Sequence, residues 1–180
     1  MNWGTVGADE LSATLWRERR QLDFLLFLLE TQLLHLRAGN WHRLNFTAAE
    51  LEKVLENLRF ESLARGVEAS ALAAEWKAPD HLTLPALISI APPGIWPELL
   101  EDHRRGMAEL LAGIDDAVAA NVTLLEDSQA PAPLPQPGIA DLAGDTDDLA
   151  LLARDANVQR AITAVRGATL PLLRDFLGLG

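Results

Sequence analysis

The stretch Asp23–Leu36, DFLLFLLETQLLHL, holds six apolar residues in a row, and a stricter pattern runs through it. Leu15, Leu22, Leu29 and Leu36 recur every seven residues. A seven-residue apolar repeat marks one face of an α-helix and does not fit a strand, whose faces alternate every second residue. Helix–helix packing is the expected organisation. Leu11, Leu26 and Leu33 widen the seam, while Phe24, Phe27, Leu28 and Leu34 fall on other faces. This predicts a first helix from Asp9, a candidate N-cap, to Arg37, with Gly39 as its stop. At 1.5 Å per residue it would be about 40 Å long, which suits an elongated hairpin better than a short globular helix. The apolar run is well short of the roughly 20 residues that cross a bilayer. It is also bracketed by Arg17–Arg20 and by Glu30 and Gln32, so no membrane insertion is expected.

After the break Ala38–Asn40, a second helix is expected from Trp41 or Thr47 to Trp76. Its apolar face comprises Leu51, Val54, Leu55, Leu58, Leu63, Val67, Leu72 and Trp76. So short a connection favours an antiparallel pair. Prolines then interrupt the pattern, leaving room for one short helix over Leu84–Ala91 with Pro85 in its first turn. A third long helix starts near Pro97, a favoured first-turn residue, and runs to about Glu126. Its seam is Leu100, His103, Met107, Leu110, Ile114, Ala117, Asn121 and Leu124, with Leu111, Val118 and Leu125 as a parallel stripe. Two stripes on one helix are enough to meet two neighbours. The fold class is therefore all-α: an antiparallel helical hairpin, a third long helix, and a proline-linked helical tail. The expected divisions are a bundle over 1–127, a proline-rich linker over 128–144 and an amphipathic tail over 145–180.

Composition narrows the function. The formal net charge is -11, with Lys53 and Lys77 the only lysines. Nucleic-acid binding needs a basic stripe that displaces counterions, and an anionic membrane surface needs the same; neither partner is expected. The absence of cysteine removes disulfides, thiolate metal sites and thiol catalysis, and fits a cytoplasmic location. The N-terminal MNWGTVGADEL has neither the basic nor the apolar region of a signal peptide. His35 and His42 stand about two helical turns apart, too far for one ion, and His81 is isolated in the proline-broken connection. His103 lacks the Glu three residues earlier that di-iron bundles use. No nucleophile elbow, P-loop, dinucleotide fingerprint or HExxH motif is present, and no catalytic residue, metal or cofactor is expected.

LWRERRQLDFLLFLLETQLLHLRAGN resembles the first helix of FlgN-type flagellar export chaperones, in particular the actinobacterial form. EDHRRGMAELLAGIDDAVAANVTLLED is similar to the long later helix of that family, which ends in an Asn and a Leu-Leu pair, here Asn121, Leu124 and Leu125. The resemblance covers about Leu11–Asp127. It implies a cytosolic chaperone without enzymatic turnover. Its clients would be hook-associated proteins of the FlgK and FlgL kind, bound through their C-terminal helical segments and passed to the flagellar type III export apparatus. A structural coiled-coil protein that oligomerises through the same seams, for instance as a homodimer, is the alternative from a different class.

The expected client contact is the second stripe of the third helix, Leu111, Val118 and Leu125, with Ile114 beside it. Trp3, Trp16, Trp41, Trp76 and Trp96 are further candidates for anchors at an interface. In the tail, Asp145 and Thr146 are candidate N-caps, with Asp147 and Asp148 beside the helix dipole. Leu149, Leu152, Ala156, Ala161, Ile162 and Val165, then Leu172, Leu173, Phe176 and Leu177, give it an apolar face. Such a segment is expected to fold back over the groove as a stand-in for the client.

Overall fold

A computed structural model describes residues 6–79, 82–129 and 144–180. The described residues form six α-helices and no strand: α1 (Val6–Arg37), α2 (Leu44–Glu75), α3 (Leu84–Ile90), α4 (Trp96–Asp127), α5 (Gly144–Arg166) and α6 (Pro171–Leu177). α1, α2 and α4 have 32 residues each, about 48 Å. α1 packs along both α2 and α4, so the expected hairpin and third helix are present. Trp3, His81 and most of the proline-rich linker lie outside the described residues, as do the side chains of Asp145, Thr146 and Asp147.

The seam on α1 is stricter than its leucines alone suggest. Leu11, Leu15, Glu18, Leu22, Leu25, Leu29, Gln32 and Leu36 are all buried, at alternating spacings of four and three. That is an unbroken heptad register in which two of the eight positions are polar. The six-residue apolar run resolves accordingly. Leu25, Leu28 and Leu29 enter the core, Leu26 is half-buried, and Phe24 and Phe27 remain on the surface.

Helix ends follow the local chemistry. α1 starts at Val6, so Asp9 lies within the first turn, where its charge faces the positive end of the dipole, instead of acting as N-cap. α1 ends in a Schellman motif: the Asn40 N–H donates to His35 O at 2.9 Å and the Gly39 N–H to Leu36 O at 3.2 Å. Gly39 takes the left-handed φ of 71° that this ending requires. A 3₁₀ turn over Trp41–Arg43 then leads directly into α2. α2 closes in the same way, with Ala78 N–H on Ala73 O at 2.8 Å, but Lys77 holds the left-handed position with φ 57°. At α3 the Thr83 hydroxyl accepts from the Ala86 N–H and Pro85 sits in the first turn. Pro97 does likewise in α4.

The C-terminal helices belong to the packed body. α5 lies against α2 and α4, and α6 contacts α3. Ala161, Ile162, Val165, Leu173 and Leu177 are buried, whereas Leu149, Leu152 and Ala156 are exposed, so only the second half of α5 is seated. Arg160 reaches Glu52 and Asn45 on α2. On the other side Arg174 pairs with Asp115 at 2.6 Å and Arg166 with Glu126 at 2.9 Å, both on α4. These pairs are exposed, so the buried leucines, valines and alanines carry the docking and the arginines fix its direction.

Candidate functional site

The stripe expected to hold a client is placed inside the core. Leu111, Ile114 and Leu125 are at most 1% exposed and Val118 is half-buried against the same cluster. The reason is geometric: α4 meets α1, α3 and α5, so both of its stripes are covered while the C-terminal helices are docked. Leu63 and Val67 show the opposite outcome. Read from sequence as part of the packing face of the second helix, they stand 70% and 72% exposed.

Large apolar side chains therefore reach solvent elsewhere. On α1 these are Trp16, Phe24, Phe27 and Leu34; on α2 they are Phe46, Phe60, Leu63 and Val67. Phe24 and Phe27 stack with ring centroids 6.2 Å apart, in a shallow depression that they share with Arg17, Arg20 and Glu61. A second depression runs along α2 beside α6, bordered by Leu63, Val67, Leu172 and Phe176. Of the remaining tryptophans, Trp96 is buried and Trp41 and Trp76 are half-buried; Arg154 lies 4.0 Å over the Trp41 ring.

Three polar arrangements pin the long helices together. At one end of the α1–α4 contact the buried His103 meets Ser12 at 3.0 Å through Nε2, while Arg19 approaches Nδ1 at 3.4 Å. Arg19 can only donate, so Nδ1 accepts and the Nε2–H donates to the Ser12 hydroxyl oxygen. Burial and the neighbouring Arg19 push the His103 pKa down to about 4, against the pull of Asp102, so the ring is neutral at pH 7. Its place in the seam is a matter of register. Arg19 itself lies against Gly106, where an added Cβ would collide with its guanidinium.

At the other end, Gln32, Thr47 and Asn121 link α1, α2 and α4. Thr47 donates to Gln32 Oε1 at 2.7 Å, and Gln32 Nε2 donates to Asn121 Oδ1 at 2.9 Å. Asn121 Nδ2 then donates to Leu29 O and Ala117 O. Between these two levels, the buried Arg65 of α2 donates to Glu18 Oε1 and to the Ser62 hydroxyl. Glu18 Oε2 is buried with no partner. Burial pushes the Glu18 carboxyl up to about 7, with Arg65 pulling it down and Glu61 and Glu68 adding to the rise. Burial also lowers the Arg65 pKa, and Phe176 of α6 lies under its guanidinium at 4.8 Å.

Beside this pair is a half-open depression of about 430 Å³ between α2 and the α5–α6 corner, lined by Glu18, Arg59, Ser62 and Arg65 together with leucines of α2 and of the corner. Asn121 and His103 were visible in the sequence as polar breaks in a leucine seam. Glu18 and Arg65 were not: Glu18 sits among other charged residues, and Arg65 lies between Leu63-Ala64 and Gly66-Val67, where the two large apolar neighbours draw the packing face to themselves; the signal was the spacing, since Glu18 falls midway between Leu15 and Leu22. Among the described residues, no group of three or more His, Asp or Glu is placed to hold a metal ion, and no helix is long and apolar enough to cross a membrane. The chain matches no family model, no curated protein and no solved structure.

Proposed function

We propose that the chain is a cytosolic flagellar export chaperone of the FlgN type. It would bind the C-terminal helical segment of a hook-associated protein, FlgK- or FlgL-like, prevent premature assembly and present the client to the export apparatus. The observation that carries this reading is the set of large apolar side chains left on the outside of two 32-residue helices, above all Phe24, Phe27 and Leu34 on α1 and Phe60, Leu63 and Val67 on α2. A core does not need them, and amphipathic helices are captured by surfaces of this kind. The resemblance of residues 11–127 and the acidic balance support the same reading.

On this reading Leu111, Ile114, Val118 and Leu125 reach a client only after α5 and α6 leave α4. The tail is then a tethered competitor whose effective concentration is about a millimolar. Isothermal titration with the C-terminal helical segment of a hook-associated protein tests both statements. The full chain should bind it, and the chain ending at Asp127 should bind more tightly. Arg160→Glu with Arg174→Glu, which loosens the docking without removing apolar surface, should shift affinity the same way. Absence of binding to every form overturns the chaperone reading, and weaker binding by the loosened forms overturns the competitor role. The same exposed residues would also serve self-association; a concentration-dependent dimer with no affinity for the segment would favour that alternative.

A further inference from the structure

The outer face of α1 carries a second seam. Arg20, Phe24, Phe27, Thr31 and Leu34 follow one another at spacings of four and three, on the side of the helix turned away from the buried register. Phe24, Phe27 and Leu34 are exposed along it, so none of the described helices covers them. The C-terminal helices are seated elsewhere, α5 on α2 and α4, and α6 on α3. A seam with this spacing is the surface against which one more helix packs.

The border of the seam sets the chemistry of that helix. On α4, Asp102, Gly106, Glu109, Gly113 and Asp116 share one face at the same spacings. Arg19 pairs with Asp102 at 3.2 Å and Leu26 packs against Gly113, so this face runs beside α1. Asp23 and Glu30 stand one turn beyond Arg19 and Leu26, between the α4 contact and the exposed phenylalanines. Both border the depression that holds the Phe24–Phe27 stack. Asp23, Glu30, Glu109 and Asp116 are exposed, and among the described residues none of them has an Arg or Lys within salt-bridge distance. Arg20 and Arg105 stand at one end, towards the start of both helices; beyond them the border is acidic. A nucleic acid or an anionic membrane would be repelled there. A second copy would bring the same acidic border against this one, in a chain of formal net charge -11. We propose that the outer seam of α1 binds an amphipathic helix of another protein whose apolar stripe is flanked by lysines or arginines, with those cations lying along Asp23, Glu30, Glu109 and Asp116. This surface is one of the two that the chaperone reading uses, but the charge argument stands without that reading, since it does not depend on where the helix comes from.

The test uses the full chain, ¹⁵N-labelled, titrated with three synthetic helical peptides of about 21 residues, or three heptads. The first has leucines in its seam and lysines at the flanking positions, the second replaces the lysines by glutamates, and the third keeps the lysines and replaces the leucines by serines. The first should give saturable amide shifts centred on Phe24, Phe27, Glu30 and Gly113. Its Kd should be on the order of 10–100 µM, as befits an interface of one helix face. The second should bind about tenfold more weakly, and the third should not saturate. Glu30→Lys with Asp116→Lys should weaken the first peptide about tenfold and strengthen the second. Asp148→Lys with Asp155→Lys on α5 makes the same change in net charge away from the seam and should leave both affinities within about twofold. Should a charge variant fail to fold, the three peptides on the unaltered chain still decide. The proposal is overturned by the absence of saturable shifts, by shifts centred on α2 or α5, by equal affinity for the first peptide and either of the others, or by equal effects of the two charge reversals. Binding of a hook-associated segment without any response to the lysine-flanked peptide would overturn this proposal and leave the chaperone reading standing.

Discussion

Two buried polar arrangements cross-link the same helices and are built to different standards. In the Gln32–Thr47–Asn121 group, the Gln32 and Asn121 amide oxygens each accept a hydrogen bond, and Asn121 Nδ2 makes two, one to its own helix and one to α1. The Glu18–Arg65 pair has a formal charge on each side, an acceptor with no donor and a half-open depression at its flank. Neutral groups that satisfy one another fix a register at little cost, since nothing is left desolvated and unpaired. An ion pair in the same core loses the hydration of both charges, and its mutual attraction repays this only when the remaining lone pairs are filled. The amide group is a finished structural joint. The ion pair is an incomplete one, with the Glu18 Oε2 acceptor sealed in the core and left without a donor.

The largest effect that separates the two should come from removing one charge. Arg65→Met leaves the Glu18 carboxylate buried without its counter-ion, and urea unfolding at pH 8 should show a loss of about 3–5 kcal/mol. At pH 5 the loss should be clearly smaller, because Glu18 is then neutral in the folded chain. Equal losses at both pH values would place the cost in packing and not in charge.

The next effect follows from the titration of Glu18 itself. Its carboxyl is raised from an ordinary 4.5 to about 7 in the folded chain. Between those values the unfolded chain has released this proton and the folded chain still holds it, so stability falls as pH rises from about 4.5 to about 7 and levels off above. The groups acting on it are Arg65, which opposes the rise, and Glu61 and Glu68, which add to it. A shift of this size corresponds to about 3 kcal/mol across the window. Glu18→Gln should remove that part of the slope, as read from unfolding curves collected at several pH values. An unchanged slope would mean that Glu18 is already ionised near pH 5.

A smaller loss is expected at the amide level. Asn121→Ala deprives Gln32 Nε2 of its acceptor and Leu29 O of its side-chain donor, which should cost about 1–3 kcal/mol with no pH dependence between 5 and 8. Thermal unfolding at the two pH values checks both parts of this expectation.

The sequence made one of these levels far more legible than the other. Leu15, Leu22, Leu29 and Leu36 announce the seam, and the glycine and proline positions mark most helix ends to within a few residues. Asn121 and His103 stand out because they interrupt an apolar row. Glu18 sits in the run Arg17-Glu18-Arg19-Arg20, where periodicity is hidden by neighbours that look like one solvated face. The exposed Leu63 and Val67, and the buried Leu111, Ile114 and Leu125, could not be sorted from the chain alone. An apolar stripe specifies that something covers it, not which helix does so. That choice was made by α5 and α6, whose own pattern is weak because only half of α5 is seated.

The smallest expected effect is the most discriminating. Replacing both partners, Glu18→Leu with Arg65→Met, removes two buried charges and the unpaired Oε2 together. Met keeps an apolar stem against Phe176, which now contacts the guanidinium at 4.8 Å. The double variant should lie within about 1 kcal/mol of the unaltered chain, because well-packed apolar replacements of buried ion pairs are often neutral or stabilising. With both single variants measured, the double-mutant cycle should return a coupling of several kcal/mol although the pair as a whole contributes almost nothing. Replacing Gln32 and Asn121 together by leucines should give no such recovery. Thr47 would have to exchange its short bond to Gln32 for the longer one to Leu44 O at 3.2 Å, and Leu29 O would lose its side-chain donor; neither group belongs to the replaced pair. A double variant at Glu18 and Arg65 that remained several kcal/mol less stable would show the ion pair to be a structural joint after all, and the contrast between the two levels would disappear.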